Sequence, residues 1–203
     1  MSVTLYQGDI PDDLDLGPVV AIDTETMGLV PGRDRLCLVQ LSSGDGNAHL
    51  VQVARGQTDA PNLTRMLANP EQLKLFHFGR FDIAMLERAF GVRAGPVYCT
   101  KIASKLVRTY TDRHGLKNLT QELLGVDISK AQQSSDWGAE ELTRAQLDYA
   151  ASDVLYLHRL RDALDIRLAR EGRTGLAQAA FGFLPARAAL DLAGWAESDI
   201  FAH

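Results

Sequence analysis

Four apolar residues run directly into two carboxylates in the segment Val19-Val20-Ala21-Ile22-Asp23-Thr24-Glu25. The small and β-branched residues predict a buried strand, and side chains two positions apart on a strand point to the same face. Asp23 and Glu25 can therefore reach a common metal ion. A lone Asp-x-Glu pair is more often the solvated acidic end of an edge strand, so this pair indicates a site only in combination with other residues.

Further functional candidates occur beside apolar segments that predict core elements. Asp82 stands at the head of a helix predicted over 81–90, directly after a strand predicted over 73–78, and its simplest role is to complement the helix dipole. Tyr149 and Asp153 are four residues apart on a predicted amphipathic helix and share one face, with a solvated surface position as the alternative. Burying several unpaired carboxylates is costly, which favours a divalent cation, Mg2+ or Mn2+, between them.

The apolar periodicity divides the chain into a β-rich first half and a helical second half. Strands are predicted over 19–22, 36–41, 48–53, 73–78 and 97–99. Helices are predicted over 62–67, 81–90, 100–107, 115–124, 142–170 and 176–183, with Pro185 as a candidate interruption. The first three strands form a short meander. Together these elements predict an α/β fold, with a mixed sheet flanked by helices in a single domain.

Composition limits the function classes. The chain has 203 residues, 46% of them hydrophobic, and a formal charge of −5. This charge argues against a protein that binds long nucleic acid through a broad basic face. It does not exclude a short nucleotide ligand, since two divalent cations would offset four negative charges. Cys37 and Cys99 lie too far apart for a Cys-x-x-Cys motif, which favours buried free thiols. The N-terminus lacks an export signal, and no apolar run reaches the ~18 residues of a membrane span, so we expect a soluble, cytoplasmic protein.

In combination, the functional candidates resemble the active-site residues of the DEDD exonucleases, which carry Asp-x-Glu on an early strand, an Asp after a later strand, and Tyr-x-x-x-Asp on a late helix. Tyr149 marks the tyrosine subclass, since the histidine of the other subclass would stand at the position of Asp148. Two segments look like ribonuclease D: Ser129-Lys130-Ala131-Gln132-Gln133-Ser134-Ser135-Asp136-Trp137 and Gln146-Leu147-Asp148-Tyr149-Ala150-Ala151-Ser152-Asp153-Val154. Over residues 6–203, including 108–116, the chain resembles the nanoRNase C group.

This resemblance implies a ribonuclease H-like fold, 3′-to-5′ exonuclease activity on very short RNA, especially diribonucleotides, and a ring-shaped homo-octamer. It also implies two divalent metal ions. Asp23, Glu25 and Asp153 would hold the first ion, Asp23 would bridge to the second, and Asp82 would support the second through water. Tyr149 would orient the attacking water rather than deprotonate it, because a free phenol with a pKa of about 10 is ionised to only about one part in a thousand at pH 7.

The same resemblance implies a set of substrate-binding residues. Leu29 falls where related exonucleases insert an apolar wedge between the last two bases, with a buried leucine after a turn as the alternative. His77 is expected to contact the scissile nucleotide, although a histidine at a strand end is often purely structural. Thr26, Gln133 and Trp137 complete the expected set.

The chain length argues for one catalytic unit. We expect residues 1–203 to form a single exonuclease domain with a C-terminal helical tail. About fifty residues follow Asp153, which leaves no room for the HRDC-type accessory domain of ribonuclease D. The tail is apolar, so we expect it to pack on its own domain or on a neighbouring subunit.

Two other functions stay open at this point. The same chemistry could trim longer RNA or degrade DNA from the 3′ end, or the fold could serve as an inactive nucleic-acid-binding module. The presence of all the acidic and tyrosine positions argues against the inactive module. A dinucleotide-dependent oxidoreductase is excluded, because His49 stands where a Gly-x-Gly-x-x-Gly pattern beginning at Gly44 needs its third glycine.

Overall fold

The computed structural model describes residues 2–202 and has a six-stranded mixed sheet at its centre. The strands are β1 (Val3–Gln7), β2 (Val19–Thr26), β3 (Leu36–Ser42), β4 (Ala48–Gln52), β5 (Leu73–Phe76) and β6 (Val97–Cys99). Their order across the sheet is β1-β4-β3-β2-β5-β6. The predicted α/β architecture with a mixed sheet is confirmed.

The strand pairing confirms the predicted meander, because β2 pairs antiparallel with β3 and β3 pairs antiparallel with β4. On the other side of β2, β5 and β6 continue the sheet as parallel strands. At the far edge, β1 pairs parallel with β4 and is not among the predicted strands. Its residues are half-buried or exposed, so its sequence lacks the continuous apolar run of a central strand. All of β3 is buried, which places the core around the middle of the sheet.

Helices flank the sheet. They are α1 (Pro61–Ala68), α2 (Arg80–Phe90), α3 (Thr100–Val107), α4 (Leu116–Leu124), α5 (Arg144–Val154), α6 (Leu157–Arg170) and α7 (Thr174–Leu190), followed by a π-helical turn at Asp191–Trp195. α5 lies along β2, β3 and β4, whereas α7 packs on α2 and β6. The buried apolar side chains of the sheet and helices form one cluster.

The helical region predicted over 142–170 is in fact two helices, α5 and α6, separated at Leu155 and Tyr156. α5 begins with a capping box: the Thr143 hydroxyl accepts a hydrogen bond from the backbone N–H of Gln146, and the Gln146 side chain accepts one from the backbone N–H of Thr143. The last predicted helix is also longer than expected, since α7 continues through Pro185. Buried side chains before and after the proline hold both halves of α7 against the core.

Two expectations from composition can be compared with the structure. Cys37 and Cys99 are buried and free, as predicted. Among residues 2–202, none of the helices combines the length and the hydropathy that crossing a bilayer requires.

Candidate active site

Two carboxylates in the second half of β2 meet a third from α5, which lies far along the chain. One oxygen from each of Asp23, Glu25 and Asp153 lies within 4.8 Å of the other two. Asp82 is buried beside them, and its Oδ1 accepts a hydrogen bond of 2.6 Å from the Thr24 hydroxyl. The structure thus brings together the four acidic residues that the sequence analysis singled out.

The local structure fixes each of these side chains. β2 is a central strand of the sheet, so the side chains of Asp23 and Glu25 project from the same face of a rigid element. Asp82 is the third residue of α2, where the helix dipole favours a carboxylate. The capping box at the start of α5 fixes the beginning of the helix that carries Tyr149 and Asp153.

The four carboxyl groups have raised pKa values, and burial is the largest cause for each of them. Burial, then repulsion from Asp153 and Asp82, raises the pKa of Glu25 to about 9. The pKa values of Asp82 and Asp153 each rise to about 7, and burial followed by three neighbouring acids raises the pKa of Asp23 well above its usual range. Such a cluster favours protons or a cation. Because Mg2+ and Mn2+ prefer oxygen ligands, the residues present fit the predicted metal ions.

Tyr149 lies one helical turn before Asp153 and next to the carboxylates. Burial, followed by the charges of Asp153 and Glu25, raises the pKa of the Tyr149 phenol above its usual value. The hydroxyl is therefore protonated at neutral pH and acts as a hydrogen-bond donor. The buried indole of Trp137 supports the tyrosine ring, with 6.0 Å between the two ring centroids.

The four carboxylates and Tyr149 line a cleft of about 360 Å³. Four of the predicted substrate-binding residues also line it, namely Thr26, Leu29, His77 and Gln133. Leu29 is 83% exposed, so it is not the buried leucine of the alternative interpretation. His77 Nδ1 lies 2.9 Å from the Thr100 hydroxyl, and burial, followed by nearby lysines, lowers the pKa of His77 to about 3. Trp137 is the exception among the predicted substrate-binding residues. It is buried, does not line the cleft, and packs against the Tyr149 ring.

Several residues of the cleft were missed by sequence reasoning. Three are basic, namely Lys101, Lys117 and Lys130. They come from α3, from α4 and from the segment between α4 and α5, so no spacing in the sequence connects them. Phe78 and Phe81 also line the cleft, and their position between His77 and Asp82 is the only signal that could have indicated them. Carboxylates and lysines in one cleft suit an anionic ligand that contacts both metal ions and ammonium groups.

Known proteins share this sequence pattern. The family model described as 3′-5′ exonuclease matches residues 9–169. The ribonuclease D of Acidiphilium cryptum is 39% identical over 162 residues, which correspond to 80% of this chain and 41% of that protein. The chain therefore spans about two fifths of the length of the curated ribonuclease D relatives that it matches.

Solved structures of NrnC from Brucella melitensis align over the whole chain. The structure with bound Mg2+ is 60% identical, with a TM-score of 0.96 and coverage of 100% of both chains. The structure bound to pGG is 61% identical, with a TM-score of 0.97, and covers 100% of this chain and 99% of that one. These likenesses confirm the ribonuclease H-like fold. The chain belongs to the 3′-5′ exonuclease family, in the group that contains ribonuclease D and NrnC.

Proposed function

We propose that this protein is a metal-dependent 3′-5′ exoribonuclease that hydrolyses very short RNA, especially diribonucleotides, to nucleoside 5′-monophosphates. The observation that carries the proposal is the convergence of Asp23, Glu25 and Asp153 within 4.8 Å, beside the buried Asp82. Membership of the exonuclease family supports the reaction, and the likeness to an NrnC structure bound to pGG supports the substrate class.

The four carboxylates supply the metal ligands in this proposal. Asp23, Glu25 and Asp153 would hold one divalent ion, Mg2+ or Mn2+. Asp23 would also reach a second ion, which Asp82 would support through water. When bound, two such ions supply an activated water and stabilise the charge on the leaving 3′-oxygen. Because the carboxyl groups have raised pKa values, metal ions must displace protons from them, and metal binding therefore weakens as the pH falls.

The remaining site residues orient the reactants. The protonated Tyr149 hydroxyl donates a hydrogen bond to the attacking water and does not act as a base. Leu29, which is exposed in the cleft, separates the two bases of the substrate. The neutral His77 contacts the scissile nucleotide. Thr26 and Gln133 supply further polar contacts to the nucleotide.

The size and charge of the cleft favour a short substrate. Its volume of about 360 Å³ lies near the lower end of the range of small-molecule sites. Lys101, Lys117 and Lys130 provide cations for a few phosphates, whereas a formal charge of −5 gives little attraction for long RNA. Trimming of longer RNA or DNA 3′ ends is the second candidate function, because the chain also matches ribonuclease D.

Hydrolysis of labelled RNAs of two to ten nucleotides, with Mg2+, Mn2+ or EDTA, tests the proposal. We expect the highest kcat/KM for the dinucleotide and no hydrolysis in EDTA. Asp23→Asn should be inactive, while Asp13→Asn, at an exposed position outside the cleft, is the matched control and should retain activity. Equal or higher kcat/KM on the longest RNA would favour ribonuclease D-like trimming. Hydrolysis in EDTA or by Asp23→Asn would refute the metal-dependent mechanism.

We also propose that residues 1–203 act as one cytoplasmic exonuclease domain that assembles into a homo-octamer. The C-terminal tail supports assembly, because it exposes Phe183, Trp195, Ile200 and Phe201. The rings of Phe183 and Phe201 lie 5.8 Å apart between centroids. Exposed apolar side chains that are close together in space are typical of an interaction surface. Sedimentation should give an octamer at micromolar concentration, and a monomer would contradict the ring.

A further inference from the structure

Phe78 has a strained backbone conformation. Its φ is 66°, and within residues 2–202 it is the only residue other than glycine that has a positive φ. A bulky side chain at positive φ is unfavourable because its Cβ crowds the backbone, whereas glycine adopts this conformation freely. The turn from β5 to α2 would therefore form more easily with glycine at this position.

The fold gains little packing from this strain. Phe78 is 48% exposed, whereas Phe76, two residues earlier, is completely buried. The Phe78 carbonyl accepts a hydrogen bond of 3.2 Å from the backbone N–H of Phe81, which any residue at this position could accept. Core packing and turn formation thus give no reason for an aromatic residue here. Strained residues of this kind are concentrated at ligand-binding and catalytic sites.

The position of Phe78 points to such a ligand-binding role. It lines the same cleft as the carboxylates. The Lys101 Nζ lies 3.8 Å from the centroid of the Phe78 ring, which is a cation–π contact. Lys101 also lines the cleft. An aromatic ring and an ammonium group are therefore in contact within the cleft, and these are the two groups that can bind the base and the phosphate of a nucleotide.

We propose that the Phe78 ring stacks on a nucleobase of the bound RNA, while Lys101 fixes the ring from one face and contacts the adjacent phosphate. This inference rests on the proposed function and adds a base contact on the β5–α2 turn. Aromatic side chains stack on any base, so the contact tolerates sequence variation. Purines offer the larger π surface and should benefit more than pyrimidines.

Three substitutions distinguish stacking from a structural role. Phe78→Leu keeps an apolar side chain but removes the π face, and Phe78→Trp enlarges that face. Phe78→Gly removes the ring and also relieves the backbone strain. Phe90→Leu, at the other end of α2 and outside the cleft, is the matched control.

Steady-state kinetics should be measured with diadenylate, with diuridylate and with dinucleotides that carry one abasic position. We expect Phe78→Leu to raise the KM for diadenylate about tenfold with little change in kcat. The increase should be smaller for diuridylate and absent when the abasic position is the stacked one. Phe78→Trp should keep or lower the KM. Phe78→Gly should also have a higher KM for diadenylate, although it should melt at a higher temperature than the wild type. This combination would exclude unfolding as the cause of the lost affinity. The control Phe90→Leu should have the same KM as the wild type.

The outcomes separate this inference from the proposed function. A wild-type protein that hydrolyses no RNA would refute the function and with it the base contact. If the wild type is active, a KM for diadenylate within about twofold of the wild-type value in Phe78→Leu and Phe78→Gly would refute stacking alone. An equal loss on all the substrates would also refute it, because a base contact must depend on the base.

Discussion

Replacing Glu25 by glutamine should stabilise the metal-free protein and weaken its response to magnesium. Glutamine has the shape of the protonated acid but cannot ionise. In the wild type, a Glu25 oxygen lies within 4.8 Å of oxygens of Asp23 and Asp153. Burial, followed by repulsion from Asp153 and Asp82, raises the pKa of Glu25 from 4.5 to about 9. The folded protein therefore retains a proton that the unfolded chain releases.

The sign and size of the effect follow from this arrangement. The stability that Glu25 contributes is complete below about pH 4.5 and is lost as the pH rises through about 9. Two like charges 4.8 Å apart repel by about 3 kcal/mol at an effective dielectric constant of about 20. One kcal/mol shifts the Tm of a domain of this size by about 2–4 °C. Without metal, Glu25→Gln should therefore melt close to the wild type near pH 5 and about 6–12 °C above it near pH 9.

Magnesium should act more strongly on the wild type than on Glu25→Gln. A ligand at 100 times its Kd stabilises a protein by about 2.7 kcal/mol, which corresponds to about 5–11 °C here. The variant lacks one ligand and should gain clearly less. Differential scanning calorimetry at several pH values, in EDTA and in Mg2+, measures both effects, and Glu141→Gln at an exposed position is the control. A lower Tm of the metal-free variant near pH 9 would show that Glu25 is not destabilised by its neighbours, and an equal magnesium response would show that Glu25 is not a metal ligand.

Three further substitutions test other parts of the site. Tyr149→Phe should lower kcat about 100-fold or more, because it removes the hydroxyl that orients the attacking water. The Mn2+ affinity measured by calorimetry should stay within about threefold, because no metal ligand is removed. An equal loss of Mn2+ affinity would contradict this division of roles. Thr143→Ala should lower the Tm by about 2–4 °C, because loss of a capping side chain costs about 1 kcal/mol, and an unchanged Tm would mean that the cap does not stabilise α5. Leu29→Ala should raise the KM for a dinucleotide about tenfold, whereas Leu176→Ala, which is exposed outside the cleft, should not; equal KM values would eliminate the wedge.

Periodicity explains why part of the site could be predicted from the sequence. Asp23 and Glu25 share a strand face because side chains alternate, and Tyr149 and Asp153 share a helix face because they stand four residues apart. Each pair is local, so its geometry follows from one element. Which pairs meet in space depends on the topology of the sheet, and that expectation came from family resemblance rather than from spacing. Asp82 is an example, because its sequence context alone predicts only a carboxylate that complements a helix dipole, and not a metal ligand.

The features that sequence reasoning missed depend on tertiary contacts. Lys101 and Lys117 belong to separate helices and share the cleft only after folding. The β1 strand is held by its pairing with β4, which no local pattern specifies. The break at Leu155 and Tyr156 interrupts an apolar periodicity that continues on both sides of it. Phe78 combines an ordinary residue type with a backbone angle that only the turn reveals.

Anomalous diffraction from crystals soaked in Mn2+ can show directly whether the four carboxylates bind two metal ions. We expect two manganese peaks about 3.5–4 Å apart. Asp23, Glu25 and Asp153 should bind one of them, and Asp23 should bind the other, with Asp82 nearby. Both peaks should disappear in Asp23→Asn. Crystals that show no manganese between these carboxylates, or that place the carboxylates beyond coordination distance of one ion, would exclude the two-metal site.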